Sequence, residues 1–300
     1  MAYGLLIMSR GNKPLLLQSK VAIIFVAACA YSMGSNAQLF SKKPLPAAPV
    51  SAPAPPPVPL CDKPVYLTLD TGHMGVAQLM ADVLNKHQVK VTFFVANEKT
   101  IDDKSSLGWD WGQNFWLQRG KEGHEFASHT WDHVYWKGDV AGVKPQFVVQ
   151  SSAGGLAGRN FTWDAAKYCQ QITQAKERIE EFTGKKALPL WRAPGGKTSP
   201  KFLAATEACG YKNVGWAAAG FLGDELPSEQ ASNDALLKKA LKDIKAGDIL
   251  MAHLGIWSRK DPWAPAVLDP LIVGLKERGF CFGTLRQHPA YQPWIAAHGG

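Results

Sequence analysis

The chain has few cysteines and none close together: Cys29, Cys61, Cys169, Cys209 and Cys281 are the five in 300 residues. A cluster-type zinc site, which needs closely paired thiolates, is therefore excluded. No apolar run reaches the roughly 20 residues that a bilayer-spanning helix requires; the stretch from Val21 to Ala30 is shorter. Blocks of like charge are missing too, since 33 Lys and Arg against 25 Asp and Glu are scattered along the chain. A net charge of +8 so distributed describes a solvated surface and supports no nucleic-acid partner. No internal repeat is visible, which leaves an ordinary globular domain rather than an array. With 46% hydrophobic and 10% aromatic residues, that domain can bury a sizeable core.

The first twenty residues contain Arg10, Lys13 and Lys20 and no acid, and the apolar stretch from Val21 follows. This is the pattern of an export signal. Residues 1–37 are expected to form a signal peptide or a lipoprotein-type leader, with small residues at Ser35, Asn36 and Ala37 for cleavage or Cys29 for lipidation. Residues 38–60 are rich in Pro and Ala and read as an extended spacer. The folded domain is expected over 61–300, in a periplasmic, lipid-anchored or secreted protein, so membrane association would come only through the leader. The compartment permits disulfides, and four cysteines allow three pairings. Cys61 and Cys281 flank the first and last expected strands, while Cys169 and Cys209 lie in consecutive expected helices, which favours 61 with 281 and 169 with 209.

From Cys61 onward, short apolar runs alternate with helical patterns. Strands are expected over 65–69, 89–95, 126–128, 187–191, 213–217, 248–252 and 280–285. Helices are expected over 75–87, 109–121, 164–182, 199–209, 233–245 and 266–278. Such alternation implies a parallel sheet, open or closed. The residues able to do chemistry fall at or just past the ends of these runs: Asp70, His129, Arg192 and His253. In parallel α/β folds that edge is where active sites assemble.

His129 and His133 are four positions apart, a spacing at which one helical turn stacks two imidazoles on the same face and lets them share a metal. Neutral imidazole suits Zn²⁺ and similar divalent ions, and a catalytic site needs about three protein ligands and an open position. Asp70 is placed to act as base or ligand, with Gly72 allowing a sharp turn after it. Arg192 can keep its carboxylate ionised. His253 is positioned to donate a proton to a leaving amine, or to serve as an ordinary strand-end histidine.

In this order the motifs resemble those of the polysaccharide deacetylases, the carbohydrate esterases of the NodB-homology type (family 4), over about residues 62 to 290. The family's Thr-Phe-Asp-Asp-Gly is matched by Thr68-Leu69-Asp70-Thr71-Gly72, and its His-Ser/Thr-x-x-His by the stretch from His129 to His133. Its Arg-x-Pro-x-Gly/Tyr is matched by the stretch from Arg192 to Gly196, and its Leu-x-His by Met251-Ala252-His253. The resemblance implies a distorted (β/α) barrel of about seven strands and a metal-dependent hydrolase that removes N-acetyl groups from an amino-sugar polymer of the envelope or an exopolysaccharide. It implies Asp70 as catalytic base, Arg192 as its partner, His253 as general acid, His129 and His133 as metal ligands, and a divalent cofactor such as Zn²⁺ or Co²⁺.

The chain departs from the family in two places. The second aspartate of the first motif, normally the third ligand, is Thr71, leaving Asp70 or His73 to complete the site or a non-catalytic glycan-binding relative. The aspartate that tunes the acidic histidine is missing beside Trp216, and Asp224 is the nearest replacement. Trp131, Gly195, Trp257 and Trp263 are expected to contact sugar, aromatic faces being able to stack on its apolar side. The Gly-rich stretch 151–160 reads as an insertion after the histidine pair, either a lid over substrate or a mobile loop. A deformylase or deacylase of a lipid-linked amino sugar is the alternative activity.

Overall fold

Runs of Val, Leu, Phe and Thr build the parallel strands, because a strand covered on both faces needs apolar residues almost continuously. In the computed structural model, which describes residues 61 to 300, β1 (Pro64–Asp70) is buried from Val65 onward. The leader and spacer expected over 1–60 lie outside the described residues. Each strand is followed by a connection that returns to the same edge: α1 (Ala77–Lys86) after β1, and the helical stretch of α2 (Trp109–Trp111), a π-turn at Gly112–Trp116 and α3 (Leu117–Lys121) after β2 (Thr92–Val95). The wider turn brings Phe115 and Trp116 together into the core.

After β3 (Glu125–Ser128) comes a three-stranded antiparallel sheet of β4 (Val134–Asp139), β5 (Gln146–Ser151) and β6 (Asn160–Asp164). Sequence patterning did not foresee it. The insertion expected over 151–160 is in fact the connection from β5 to β6, and Gln146–Ser151 alternates exposed and buried residues as a half-buried strand should. Asp164 then caps α4 (Ala165–Thr183) by accepting from the Lys167 N–H, and Gly184 closes it in the left-handed conformation at φ 62°.

The remaining units are β7 (Leu190–Trp191), α5 (Pro200–Ala208), β8 (Lys212–Asn213), α6 (Asn233–Asp243), β9 (Ile249–His253), α7 (Leu268–Glu277), β10 (Cys281–Phe282) and α8 (Gln292–Ala297). The main sheet runs β10-β1-β2-β3-β7-β8, and β9 also pairs with β1, every ladder parallel. It curls into a distorted barrel that is incompletely closed. Between β8 and β9 the link is a single bridge from Phe221 to Met251 and a bond from the Ala217 N–H to the Ile249 carbonyl.

The strand expected over 213–217 stops at Asn213 for a visible reason. The next two carbonyls, of Val214 and Gly215, accept from the Arg192 guanidinium at 3.2 and 3.3 Å, so they are not available to a ladder. Alternation along β1 sets Val65, Leu67 and Leu69 against the surrounding helices and Tyr66 into the barrel with Phe94, Ala127 and Val214. Thr68 and Asp70 share the inward face, which delivers Asp70 to the upper rim.

Two disulfides staple this frame, Cys61 to Cys281 and Cys169 to Cys209. The first ties the entry of β1 to β10 across a separation of 220 residues. Replacing Cys61 and Cys281 by serine is expected to cost about 2–4 kcal/mol and lower the melting temperature by about 5–10 °C. Thermal denaturation followed by circular dichroism checks this; an unchanged transition would contradict it.

Candidate active site

The register of the barrel brings the strand ends together. Asp70 is the β-partner of both Phe94 and His253, and Ser128 is the partner of Trp191, so His129 and Arg192 follow at one level. Asp70 and Arg192 are both buried, and Arg192 Nη1 donates to Asp70 Oδ1 at 2.7 Å. The guanidinium also lies 4.1 Å from the centre of the Phe94 ring, where the aromatic face favours a cation. Burial alone would push the Asp70 carboxyl up, but Arg192 and then His129 and His253 outweigh it and hold it below the usual carboxylate range. Asp70 is an ionised, oriented carboxylate at neutral pH.

The histidine pair is formed by a strained turn and not by the helical turn its spacing implied. Residues 129 to 133 link β3 to β4, and Thr130 and His133 have φ of +66° and +46°. Such conformations cost on the order of 1–3 kcal/mol each and persist only where surroundings impose them. Gln171 of α4 imposes this one. Its carbonyls accept from the N–H groups of Trp131 and Asp132, and its side-chain amide donates to the Asp132 carboxylate. The two imidazoles end 4.8 Å apart between ring centres.

Both rings are held from behind through Nδ1. His129 Nδ1 donates to the Arg192 carbonyl at 3.0 Å, leaving Nε2 with its lone pair 3.6 Å from Asp70 Oδ2. Ser152 Oγ shares a hydrogen bond with His133 Nδ1 at 2.5 Å and also reaches the His133 carbonyl at 3.0 Å. Burial, only partly offset by Asp70, drives the His129 pKa down to about 4, so the ring is neutral. Two imidazoles engaged through Nδ1, that of His129 neutral, are the donors a borderline divalent cation takes. Among the described residues no three His, Cys, Asp or Glu side chains stand at coordinating distance; the donors line one cavity rather than a preformed cage.

That cavity is lined by Asp70, Glu98, His129, His133, Trp257 and His253, with Gly195 at its edge. Gly72, at φ +118°, makes a close turn just after Asp70: an added Cβ would lie 2.2 Å from the Gly255 carbonyl oxygen. Gly195, at φ +67°, leaves no space for a Cβ beside the Tyr135 ring. On the far side Asp224 accepts from the His253 backbone N–H at 2.6 Å and from its Nδ1 at 3.2 Å. Burial alone would lower the His253 pKa, yet Asp224, followed by Asp70 and Glu225, raises it to about 9.

The structure does not gather every candidate. His73 lies off this cavity, its Nδ1 accepting from the Gly75 N–H and its ring against Trp257, and it lines a separate depression. Trp263 is buried in the core, and Trp131 packs against the core beneath Arg178, so neither offers a face to the cavity that Trp257 lines while two-thirds exposed. Sequence reasoning missed Glu98, Ser152 and Gln171. Glu98 had a usable signal, since it follows the end of β2 as the other site residues follow theirs. Burial would raise its carboxyl, but His133 and the Thr71 hydroxyl hold it below the usual range.

The sequence profile described as polysaccharide deacetylase matches residues 58–214. The chain belongs to the polysaccharide deacetylase family. It is a hydrolase acting on carbon–nitrogen bonds. Among relatives, the peptidoglycan-N-acetylmuramic acid deacetylase PdaA of Bacillus subtilis is 25% identical over 225 residues, 75% of this chain and 70% of its own. A chitooligosaccharide deacetylase of Sinorhizobium fredii is 25% identical over 234 residues, 75% of this chain and 91% of its own. A family 4 acetyl xylan esterase from Clostridium thermocellum, solved with a cobalt ion, superposes with a TM-score of 0.55 at 21% identity over 77% of this chain and 92% of that one. At that identity the likeness is one of fold.

Arg192→Met is expected to destabilise the protein by about 3–5 kcal/mol, because Asp70 is left buried and unpaired. Adding Asp70→Asn should recover part of the loss. Denaturant unfolding of the two variants checks the pair, and equal stability of Arg192→Met and the parent would show that the ion pair does not hold the site.

Proposed function

We propose that this protein removes N-acetyl groups from an amino-sugar polymer of the cell envelope or an exopolysaccharide, in a metal-dependent hydrolysis. The observation that carries the reading is one cavity with an ionised carboxylate fixed by Arg192 beside two histidines held through Nδ1, and a carboxylate-backed histidine on the adjacent strand β9. The donor set fits Zn²⁺ or Co²⁺, with His129 and His133 as ligands. A bound ion of this kind supplies Lewis acidity toward the acyl oxygen and lowers the pKa of a water.

The chain's own residues manage the protons. Asp70, ionised and held by Arg192, accepts a proton from the attacking water. His253 Nε2–H donates to the amine nitrogen as the carbon–nitrogen bond breaks, releasing acetate and the free amino sugar; Asp224 holds the ring by Nδ1 and keeps it protonated. Trp257, exposed at the rim, provides an apolar face for a sugar ring beside Gly195. Two disulfides fit an exported protein, and the expected leader is consistent with that location.

Metal content by mass spectrometry, paired with acetate release from chitooligosaccharide and peptidoglycan fragments, tests the reading on the full chain. Stoichiometric metal and acetate release are expected, and His129→Ala should lose both. Metal without acetate would favour a lipid-linked amino sugar or another acyl group; neither metal nor acetate would favour a glycan-binding relative.

The protonation of His253 predicts an alkaline limb. The reactive form is the imidazolium, present below a pKa of about 9, so kcat/KM should fall as pH rises through that value. Asp224→Asn removes the main support for the charge and should move the limb to lower pH. A limb that stays in place in that variant would remove His253 from the acid role.

A further inference from the structure

Position 71 carries no carboxylate, yet the cavity holds a second one. Glu98 lies three residues beyond β2, the neighbour of β1, and its carboxylate lines the cavity with Asp70, His129 and His133. Thr71 Oγ1 donates to Glu98 Oε2 at 2.6 Å and accepts from the Ala96 N–H at 3.0 Å. The single hydroxyl proton is therefore committed to Glu98, and the oxygen is occupied by the backbone. Thr71 is a holder of the carboxylate and not a ligand. The segment that carries Glu98 is itself anchored, the Glu98 N–H donating to Ser106 Oγ, which in turn donates to the Ala96 carbonyl.

We propose that Glu98 is the third protein ligand of the divalent cation, a longer side chain from the adjacent strand taking the place of the aspartate absent at position 71. The proposal rests on the metal-dependent reading above. Asp70 Oδ1 is held by the charged Arg192 at 2.7 Å, with Oδ2 3.6 Å from His129 Nε2, whereas the one hydrogen bond to the Glu98 carboxylate among the described residues comes from the neutral Thr71 hydroxyl. Two histidines and one glutamate are an established donor set for a catalytic divalent ion, leaving a position for water. Asp70 is thereby free to act as base. The division of labour also accounts for a threonine at position 71: a short hydroxyl donor orients the incoming carboxylate, and an aspartate there would set a like charge against it.

The test is titration of the metal-free full chain with Co²⁺, read by calorimetry and by the visible absorption of the bound ion, for the parent, Glu98→Gln and His129→Ala. Glutamine keeps the length and an acceptor for Thr71 but loses the charge. The expected result is an affinity weakened by about 100-fold or more, beyond the 10- to 100-fold typical of residues that only orient ligands, with an altered cobalt spectrum. Circular dichroism establishes that the variant is folded; if it is not, Glu98→Asp, which keeps the charge and loses the reach, should show the same loss. Parent-like affinity and spectrum in a folded Glu98→Gln, with binding lost in His129→Ala, would overturn the Glu98 assignment and leave the metal site standing. Absence of saturable Co²⁺ binding by the parent itself would overturn the metal reading and this inference with it.

Discussion

The buried ion pair of Asp70 and Arg192 is the contact on which the rest of the rim depends. A carboxylate and a guanidinium taken from water together cost several kcal/mol each, and only good geometry and full hydrogen bonding compensate. The fold supplies both. Arg192 gives one N–H to Asp70 and others to the Val214 and Gly215 carbonyls, while its own carbonyl accepts from His129 Nδ1. One residue thus orients the carboxylate, orients the first histidine, and ends the β8 ladder, which leaves the barrel incompletely closed beside the site. An arginine is suited to this because its planar fork presents several donors in fixed directions, which a lysine does not.

The histidine turn adds a second constraint of the opposite kind, strain rather than pairing. A β-branched threonine at positive φ is held by hydrogen bonds from α4 and by the loop after β5, where Ser152 and Ala153 donate to the Asp132 carbonyl. The antiparallel sheet therefore has a positional function: it brings Ser152 behind His133. The cost of the turn is met by elements that have no chemistry of their own, as is usual where a site needs geometry that local preference would not choose.

The parallel α/β class and the strand-end positions of Asp70, His129, Arg192 and His253 were legible because each depends on short-range pattern, apolar runs with a following turn; the barrel came from the motif resemblance, and the two disulfide pairs from the order of strands and helices. What was not legible depends on pairing between distant segments. The β8 strand stops early because Arg192, 22 and 23 residues upstream, takes the carbonyls of Val214 and Gly215. The two histidines share a face through a turn forced by Gln171, so their spacing implied the right neighbours for the wrong local reason. The separation of His73 from the cavity follows from the turn after Gly72, which local sequence does not define.

Glu98 shows how far a motif can be read. A family pattern is tied to positions along the chain, whereas a donor set is tied to a place in space, and neighbouring strands of a barrel reach the same place from different positions. Loss of a carboxylate at 71 removes charge from the rim; a glutamate one strand away restores it, and the hydroxyl left behind becomes the group that aims it. Such an exchange keeps the number of negative charges facing the two histidines while freeing Asp70 from any need to serve as both base and ligand. Under this arrangement the departure at Thr71 and the presence of Glu98 are one adaptation, joined by the 2.6 Å bond between them.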